Sequence, residues 1–221
     1  MRVPGPAPPP RADRKRSWSE LELVSLDFEA TGLDFARDTI VSFGTVPIRH
    51  GRVDLGDATY DLVDPGPVTV SPESVTVHGL RPVDLRGAPD LDAARAALSQ
   101  AIGGRFLVTW AAGVEAAFLD RMFGGGVRRW LRRCIDARPI AFATMEDPPR
   151  PFTLTAVAER HGVPVATPHH ALDDALVTAQ LFLVVAARLH SDRAPAIRDL
   201  QRIGSARASG HRPTLRSRGS G

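Results

Sequence analysis

Two carboxylates, Asp27 and Glu29, stand two residues apart in the stretch Leu23-Val24-Ser25-Leu26-Asp27-Phe28-Glu29-Ala30-Thr31-Gly32-Leu33. An apolar run that leads into a glycine turn reads as a strand. Strand side chains alternate faces, so Asp27 and Glu29 point the same way. Like charges side by side at the end of a buried strand cost stability unless a cation or a proton sits between them. Further acidic residues offer themselves at Glu115, in the first turn of an expected helix, and at Asp173 and Asp174, which open the last helix just after His169-His170. Helix N-termini attract acidic residues for structural reasons alone, because free N–H groups and the helix dipole stabilise negative charge there. Taken singly, each of the three has that explanation. Chemistry requires that they converge on the strand pair.

The elements that must bring them together follow in chain order. Residues 21–28, 39–48 and 52–63 read as three strands, with His50-Gly51-Arg52 as a tight turn that makes the last two a hairpin. Asp64-Pro65-Gly66-Pro67 ends this meander. Ser71-Pro72 opens a short helix, with serine at the cap and proline at the first position, and Val77-His78-Gly79-Leu80 closes it. Residues 89–102 carry Leu91, Ala94, Leu98 and Ile102 on one helical stripe, stopped by Gly103-Gly104. Residues 105–110 read as a strand, 113–123 as a helix and 131–136 as a further strand. Helices are expected at 138–145, 153–161 and 171–190, with a rigid loop at Asp147-Pro148-Pro149-Arg150-Pro151. Three meandering strands followed by alternating helices and strands imply an α/β class: a mixed five-stranded sheet, antiparallel and then parallel, flanked by helices.

The chain has 221 residues, 43% hydrophobic and 24% charged, ordinary for a soluble globular domain with one core. Its net charge of +3 conceals a split: residues 1–18 carry +4 and 191–221 carry +5, leaving 19–190 at −6. Residues 1–18 therefore read as a disordered, proline-rich basic tail, 19–190 as the functional domain, and 191–221 as a disordered Arg/Ser/Gly-rich tail. Ile197, Leu200 and Ile203 keep a helical spacing at the start of the last segment. A simple basic DNA-binding domain would show the opposite distribution; an acidic body with basic arms suits a site that collects cations and must still approach a polyanion. A single cysteine, Cys134, excludes a disulfide framework and a cysteine-based zinc site. No apolar leader follows the N-terminal charges. The longest apolar run, 175–189, is too short to span a bilayer and is interrupted by Thr178 and Gln180. A cytoplasmic location, away from membranes, is expected.

Together, Asp27-Phe28-Glu29-Ala30-Thr31-Gly32-Leu33 and His169-His170-Ala171-Leu172-Asp173-Asp174-Ala175 resemble the first (D-x-E-x-T-G) and third (H-x-A-x-x-D-A) motifs of the DEDDh 3′–5′ exonuclease family, that of the proofreading epsilon subunit of bacterial DNA polymerase III. Ser71-Pro72-Glu73 and Val77-His78-Gly79-Leu80 resemble its P-E…V-H-G-I segment. The resemblance covers roughly residues 20–190 and implies a ribonuclease H-like fold. The second motif departs from the family form H-N-x-x-F-D-x-x-F-L. Here it reads Trp110-Ala111-Ala112-Gly113-Val114-Glu115-Ala116-Ala117-Phe118-Leu119, so Glu115 replaces the aspartate on a longer arm and the His-Asn pair is missing.

The resemblance implies a metal-dependent phosphodiester hydrolase that uses two divalent cations, Mg²⁺ or Mn²⁺. By it, Asp27 bridges both ions, Glu29 and Asp174 complete the first site, Glu115 holds a water of the second, and His169 is the general base. Thr31, Gly32 and Leu33 would pass along the terminal nucleotide, with Leu33 as an apolar wedge, and Glu73 and His78 would contact the 3′-terminal residue. The expected substrate is a nucleic-acid 3′ end, DNA ahead of RNA, single-stranded or frayed, with a polymerase or repair protein as a partner. Two alternatives stay open: an RNA 3′-trimming exonuclease, and a weakly active nucleic-acid-binding accessory module on the same fold. Trp110 is a candidate for stacking on a base or for the core.

Overall fold

The computed structural model describes residues 4–189 and 194–208, the last five by backbone alone. Strand β1 (Glu22–Ala30) lies at the centre of the sheet. It pairs antiparallel with β2 (Ile40–Arg49) and parallel with β5 (Phe106–Thr109), which in turn runs parallel to β6 (Cys134–Asp136). β3 (Arg52–Val53) and β4 (Thr59–Leu62) both pair with the far edge of β2, so the sheet is five strands wide with its outer antiparallel strand in two pieces. The single strand expected over 52–63 breaks for a reason visible in β2. The Pro47 carbonyl accepts the Asp54 N–H on that edge at 2.9 Å, so the N–H that proline lacks faces the same edge and cannot continue the ladder. Asp54 Oδ1 then accepts the Gly56 N–H at 3.0 Å and turns the chain. The β2–β3 turn has positive φ at both His50 (50°) and Gly51 (72°), as a two-residue hairpin requires.

Helices cover both faces. On one lie α2 (Leu91–Ile102), α3 (Ala112–Phe123) and α4 (Val127–Leu131); on the other lie α5 (Ala137–Ala143), α6 (Leu154–Arg160), α7 (Ala171–Arg188) and α8 (Ile197–Ala208). Helix α1 (Pro72–His78) packs beside the end of β1, with Ser71 accepting the Ser74 N–H and Gly79 closing it at φ 76°. Along β1, Val24, Leu26 and Phe28 enter the α2/α3 core, whereas Leu23 enters the α7 core. Asp27 and Glu29 therefore share the α7 face. The strand expected over 131–136 begins only at Cys134. Trp130, 2% exposed and donating its indole N–H to the Gly124 carbonyl at 3.0 Å, holds the preceding residues as helix α4. Cys134 itself is buried.

The two tails differ most from expectation. Residues 4–20 lie on the body, with 3₁₀ turns at Arg11–Lys15 and Trp18–Glu20. Trp18 is buried and meets Phe182 edge to face at 5.4 Å. Ser17 bridges Ala196, the Ile197 N–H donates to the Arg16 carbonyl at 3.1 Å, and the Gly104 N–H donates to the Ala7 carbonyl at 2.8 Å. The segment read as a C-terminal tail contains α8, whose Ile197 and Leu200 are fully buried. Trp18 at one end, and Ile197 with Leu200 at the other, supply the apolar burial that seats these arginine-rich stretches. The remainder of the expected tails, residues 1–3, 191–193 and 209–221, lies outside the described residues, as does His190 at the end of the expected domain. Among the described residues, no helix is long and apolar enough to cross a membrane.

Candidate active site

Helix α7 sets the site. It crosses β2 so closely at Gly44 that a Cβ there would stand 2.3 Å from the Ala171 carbonyl oxygen and 2.4 Å from the Leu172 Cα. Gly44 is the ladder partner of Asp27, so this contact brings the first turn of α7, with Asp174, down onto the strand carboxylates. Helix α3 contributes Glu115 from its own first turn. The result is one cluster in which Glu115, Glu29 and Asp174 all act on the Asp27 carboxyl, and Asp174 also acts on Glu29.

Their electrostatics follow from burial and like charge. Burial, then Glu115, Glu29 and Asp174 in turn, hold the Asp27 carboxyl well above the usual carboxylate range. Glu29, 8% exposed, is pushed up to about 8 by burial and by Asp174. Glu115, 4% exposed, is also pushed up to about 8, by burial opposed by its own backbone N–H, with Asp136 adding to the rise. Asp174 is raised by burial and held back by His169, whose backbone N–H donates to Asp174 Oδ2 at 3.1 Å. Among the described residues, Glu115 Oε2 is buried without a hydrogen-bond partner. An ionised, unpartnered buried carboxylate oxygen is costly, and either a proton or a bound cation offsets that cost. Ligand atoms of Glu29, His169 and Asp174 lie within 4.8 Å of one another; Asp27 adjoins this triplet without joining it. The residues present thus fit a divalent metal centre.

His169 is exposed and left-handed, at φ 61°, a backbone state that costs free energy and persists where its surroundings impose it. Its neighbours look elsewhere: His170 lies against Tyr60, ring centroids 4.3 Å apart, and Asp173 lies 3.9 Å from His170 Nδ1.

Beside the carboxylates, a cleft is walled by Phe28, Ala30, Leu33, Val77, Val114 and Phe118, with Glu73 and His78 on its rim. Leu33 is 70% exposed and Glu73 is exposed, so both present free side chains. The Thr31 side chain does not: it is fully buried, its hydroxyl donates to Asp38 Oδ1 at 2.8 Å and accepts the Thr39 N–H at 3.1 Å. Gly32 passes so close to Asp38 that a Cβ would stand 2.3 Å from its Oδ2. Thr31 and Gly32 thus shape the turn instead of offering side chains. His78 is occupied as well. Its Nδ1 accepts the Leu80 N–H at 3.1 Å, which leaves the proton on Nε2 to donate to the Ala30 carbonyl at 3.2 Å. Burial lowers its pKa, so the ring is a neutral latch between α1 and β1.

Two carboxylates escape a reading of the sequence. Asp136 ends β6, accepts the Ala112 N–H at 3.2 Å and the Arg138 N–H at 3.1 Å, and so pins the starts of α3 and α5 behind Glu115; burial raises it to about 6. Asp38 props up the Thr31-Gly32 turn. The one available signal for Asp136 was a strand, Cys134-Ile135-Asp136, ending in an acid before a helix. Trp110 faces the protein, stacked on Phe152 at 5.9 Å.

Residues 24–182 match the exonuclease family designated RNase T. The chain belongs to that family. It is a DEDDh-type exonuclease, a phosphodiester hydrolase, and the family implies dependence on divalent metal. The exonuclease is 30% identical over 169 residues to the PolC-type DNA polymerase III of Thermotoga petrophila, an alignment that covers 76% of this chain and 12% of that protein. Its fold is shared with E. coli exonuclease I, solved with a dT13 oligonucleotide (TM-score 0.63, 15% identity, 76% of this chain and 41% of the other). It is shared too with exonuclease X, solved with 5′-overhanging duplex DNA (TM-score 0.61, 20% identity, 81% and 99%).

Proposed function

We propose that this exonuclease removes nucleotides from DNA 3′ ends, single-stranded or frayed, and that Asp27, Glu29, Asp174 and Glu115 carry the metal while His169 carries the proton. The observation that supports this reading is the convergence of four carboxylates whose burial and mutual repulsion favour a bound cation, one of them with a buried, unpartnered oxygen. Two divalent cations, Mg²⁺ or Mn²⁺, held by Asp27, Glu29 and Asp174 with Glu115 behind the second, would offset the charge that develops on the attacking and leaving oxygens of the diester. His169, exposed at the mouth and tied through its backbone to Asp174, accepts the proton of the attacking water. Leu33 and the apolar walls of the neighbouring cleft receive the terminal base, and Glu73 meets the sugar edge. The preference for DNA is supported by what the relatives are: a DNA polymerase and two nucleases solved with DNA. The chain spans 12% of the PolC-type relative's length, and a polymerase or repair partner is part of the proposal, supported by that relative's being a DNA polymerase.

Digestion of matched 5′-labelled DNA and RNA single strands in Mg²⁺ or Mn²⁺ tests the reading. Stepwise shortening of DNA ahead of RNA is expected. Asp27→Ala should lower it by at least about 100-fold, the upper range for losing even an outer partner of a metal. RNA shortened faster than DNA would transfer the proposal to RNA 3′ trimming. Oligonucleotide binding without any calorimetric metal uptake would favour the accessory-module reading.

A further inference from the structure

The feature that the catalytic cleft does not use is a groove between the N-terminal 3₁₀ turn and α8. Its lining is Arg11, Arg14 and Lys15 on one wall and Arg198, Gln201 and Arg202 on the other. The walls are tied together: Arg14 donates through Nε and Nη2 to Gln201 Oε1 at 3.2 and 3.0 Å, and Gln201 Nε2 donates to the carbonyls of Arg132 and Cys134 at 2.9 and 3.0 Å. The Ile197–Arg16 and Trp18–Pro195 backbone bonds hold the same two elements on the other side. Five cations therefore converge on a concavity that the fold builds, and not on a mobile arm. The carboxylate that touches this set is Asp199, shared by Arg198 at 3.6 Å and Arg202 at 3.4 Å; among the described residues, Arg11 and Lys15 have none. The groove lies toward the beginning of β6 and, through the Gly104–Ala7 bond, of β5. Asp136 closes the other end of β6 and Glu115 stands past the other end of β5, so the groove is separate from the catalytic cleft.

We propose that this groove is a second, non-catalytic site for the sugar-phosphate backbone of a nucleic-acid strand, gripping it away from the 3′ end under hydrolysis. The proposal rests on the exonuclease reading for its ligand, and three physical points favour it. Four of the five cations are arginines, whose planar fork suits phosphate oxygens. The lining offers neither an aromatic platform for bases nor an apolar anchor of the kind that dominates a protein interface, so backbone phosphate, without sequence preference, is the matching ligand. The body between the tails carries −6, leaving the acidic cleft poorly suited to attract a polyanion unaided; clustered cations supply that attraction.

The test uses the full chain in EDTA, where hydrolysis is silent, and a fluorescent single-stranded 30-mer DNA titrated by anisotropy at several salt concentrations. Arg11→Ala/Arg14→Ala/Lys15→Ala should flatten the slope of log K against log[salt] by about 2, and Arg198→Ala/Arg202→Ala, on the opposite wall, by about 1.4 (roughly 0.7 per phosphate contact for a single strand). Arg14→Lys should keep the wild-type slope. Turnover of a p-nitrophenyl ester of thymidine 5′-monophosphate, too small to reach the groove, reports the cleft alone and should stay at the wild-type level in the variants. Unchanged slopes in both multiple variants would overturn the proposal, as would polyglutamate displacing the 30-mer as effectively as inorganic polyphosphate does. A wild-type chain that binds with the expected slope yet hydrolyses neither ester nor oligonucleotide would instead remove the catalytic reading and leave the groove standing.

Discussion

Glu115 stands where the resemblance implies an aspartate, and its burial makes the longer arm measurable. An ionised carboxylate with an unpartnered, buried oxygen destabilises the metal-free fold, so Glu115→Gln should raise the metal-free melting temperature at pH 8 by a few degrees. The same change should reduce exonuclease activity by 10-fold or more; loss of stability together with activity would mark Glu115 as structural. The pH dependence has a definite sign. A carboxyl whose pKa rises on folding holds its proton more tightly in the native chain, so its contribution is intact below the unfolded value near 4.5 and is lost as pH climbs toward about 8. Metal-free protein should therefore melt progressively lower from about pH 5 to pH 8 in differential scanning calorimetry. Divalent cation should restore the loss, and a flat profile would contradict the carboxylate cluster. Asp27 and Glu29 were legible in the sequence because a strand's period of two leaves no choice of face. Asp136 and Asp38 were not, because each acts on a backbone N–H or hydroxyl that folding alone brings near. His78 and Thr31 belong to the family's segments, yet their side chains bind the protein itself.

Between elements, the decisive contact is Gly44 against the first turn of α7. Any side chain at 44 must push that turn outward by about 1 Å to reach ordinary contact, and a misplacement of about 1 Å at a catalytic group can cost about 100-fold. Gly44→Ala should thus depress kcat strongly while costing about 1–3 kcal/mol of stability in denaturant titration, the usual range for overpacking. If kcat survives, Asp174 is not positioned by this crossing. Helix caps such as Ser71 with Pro72 were readable because capping is local chemistry. The α7–β2 approach was hidden because Gly44 and Ala171 are distant in the chain, and a glycine inside a strand announces a close neighbour without naming it. The split of the outer strand could have been anticipated from Pro47, had the edge that its missing N–H faces been known.

On the scale of the whole molecule, the N-terminal stretch and α8 are one structure built across the start of the sheet. Trp18→Ala should cost about 3–5 kcal/mol, the range for removing a buried aromatic, and lower the thermal midpoint by roughly 10 °C; a change under 2 °C would mean that the stretch is dispensable. Composition suggested disorder here because proline and arginine outweigh one tryptophan in any average, whereas a single well-placed ring meeting Phe182 is enough to anchor a segment. The charge split, by contrast, was fully legible, since it needs no contacts to be counted. The lone thiol gives the molecule a built-in clock. Cys134 is shut inside β6, and burial raises its pKa far above that of a free thiol, so it reacts with a disulfide reagent only when the strand opens. Because no second cysteine competes, the labelling rate at reagent concentrations high enough to outpace reclosing counts openings of the sheet. The slowing of that rate by a bound cation or a captured strand would report how each ligand quiets the fold.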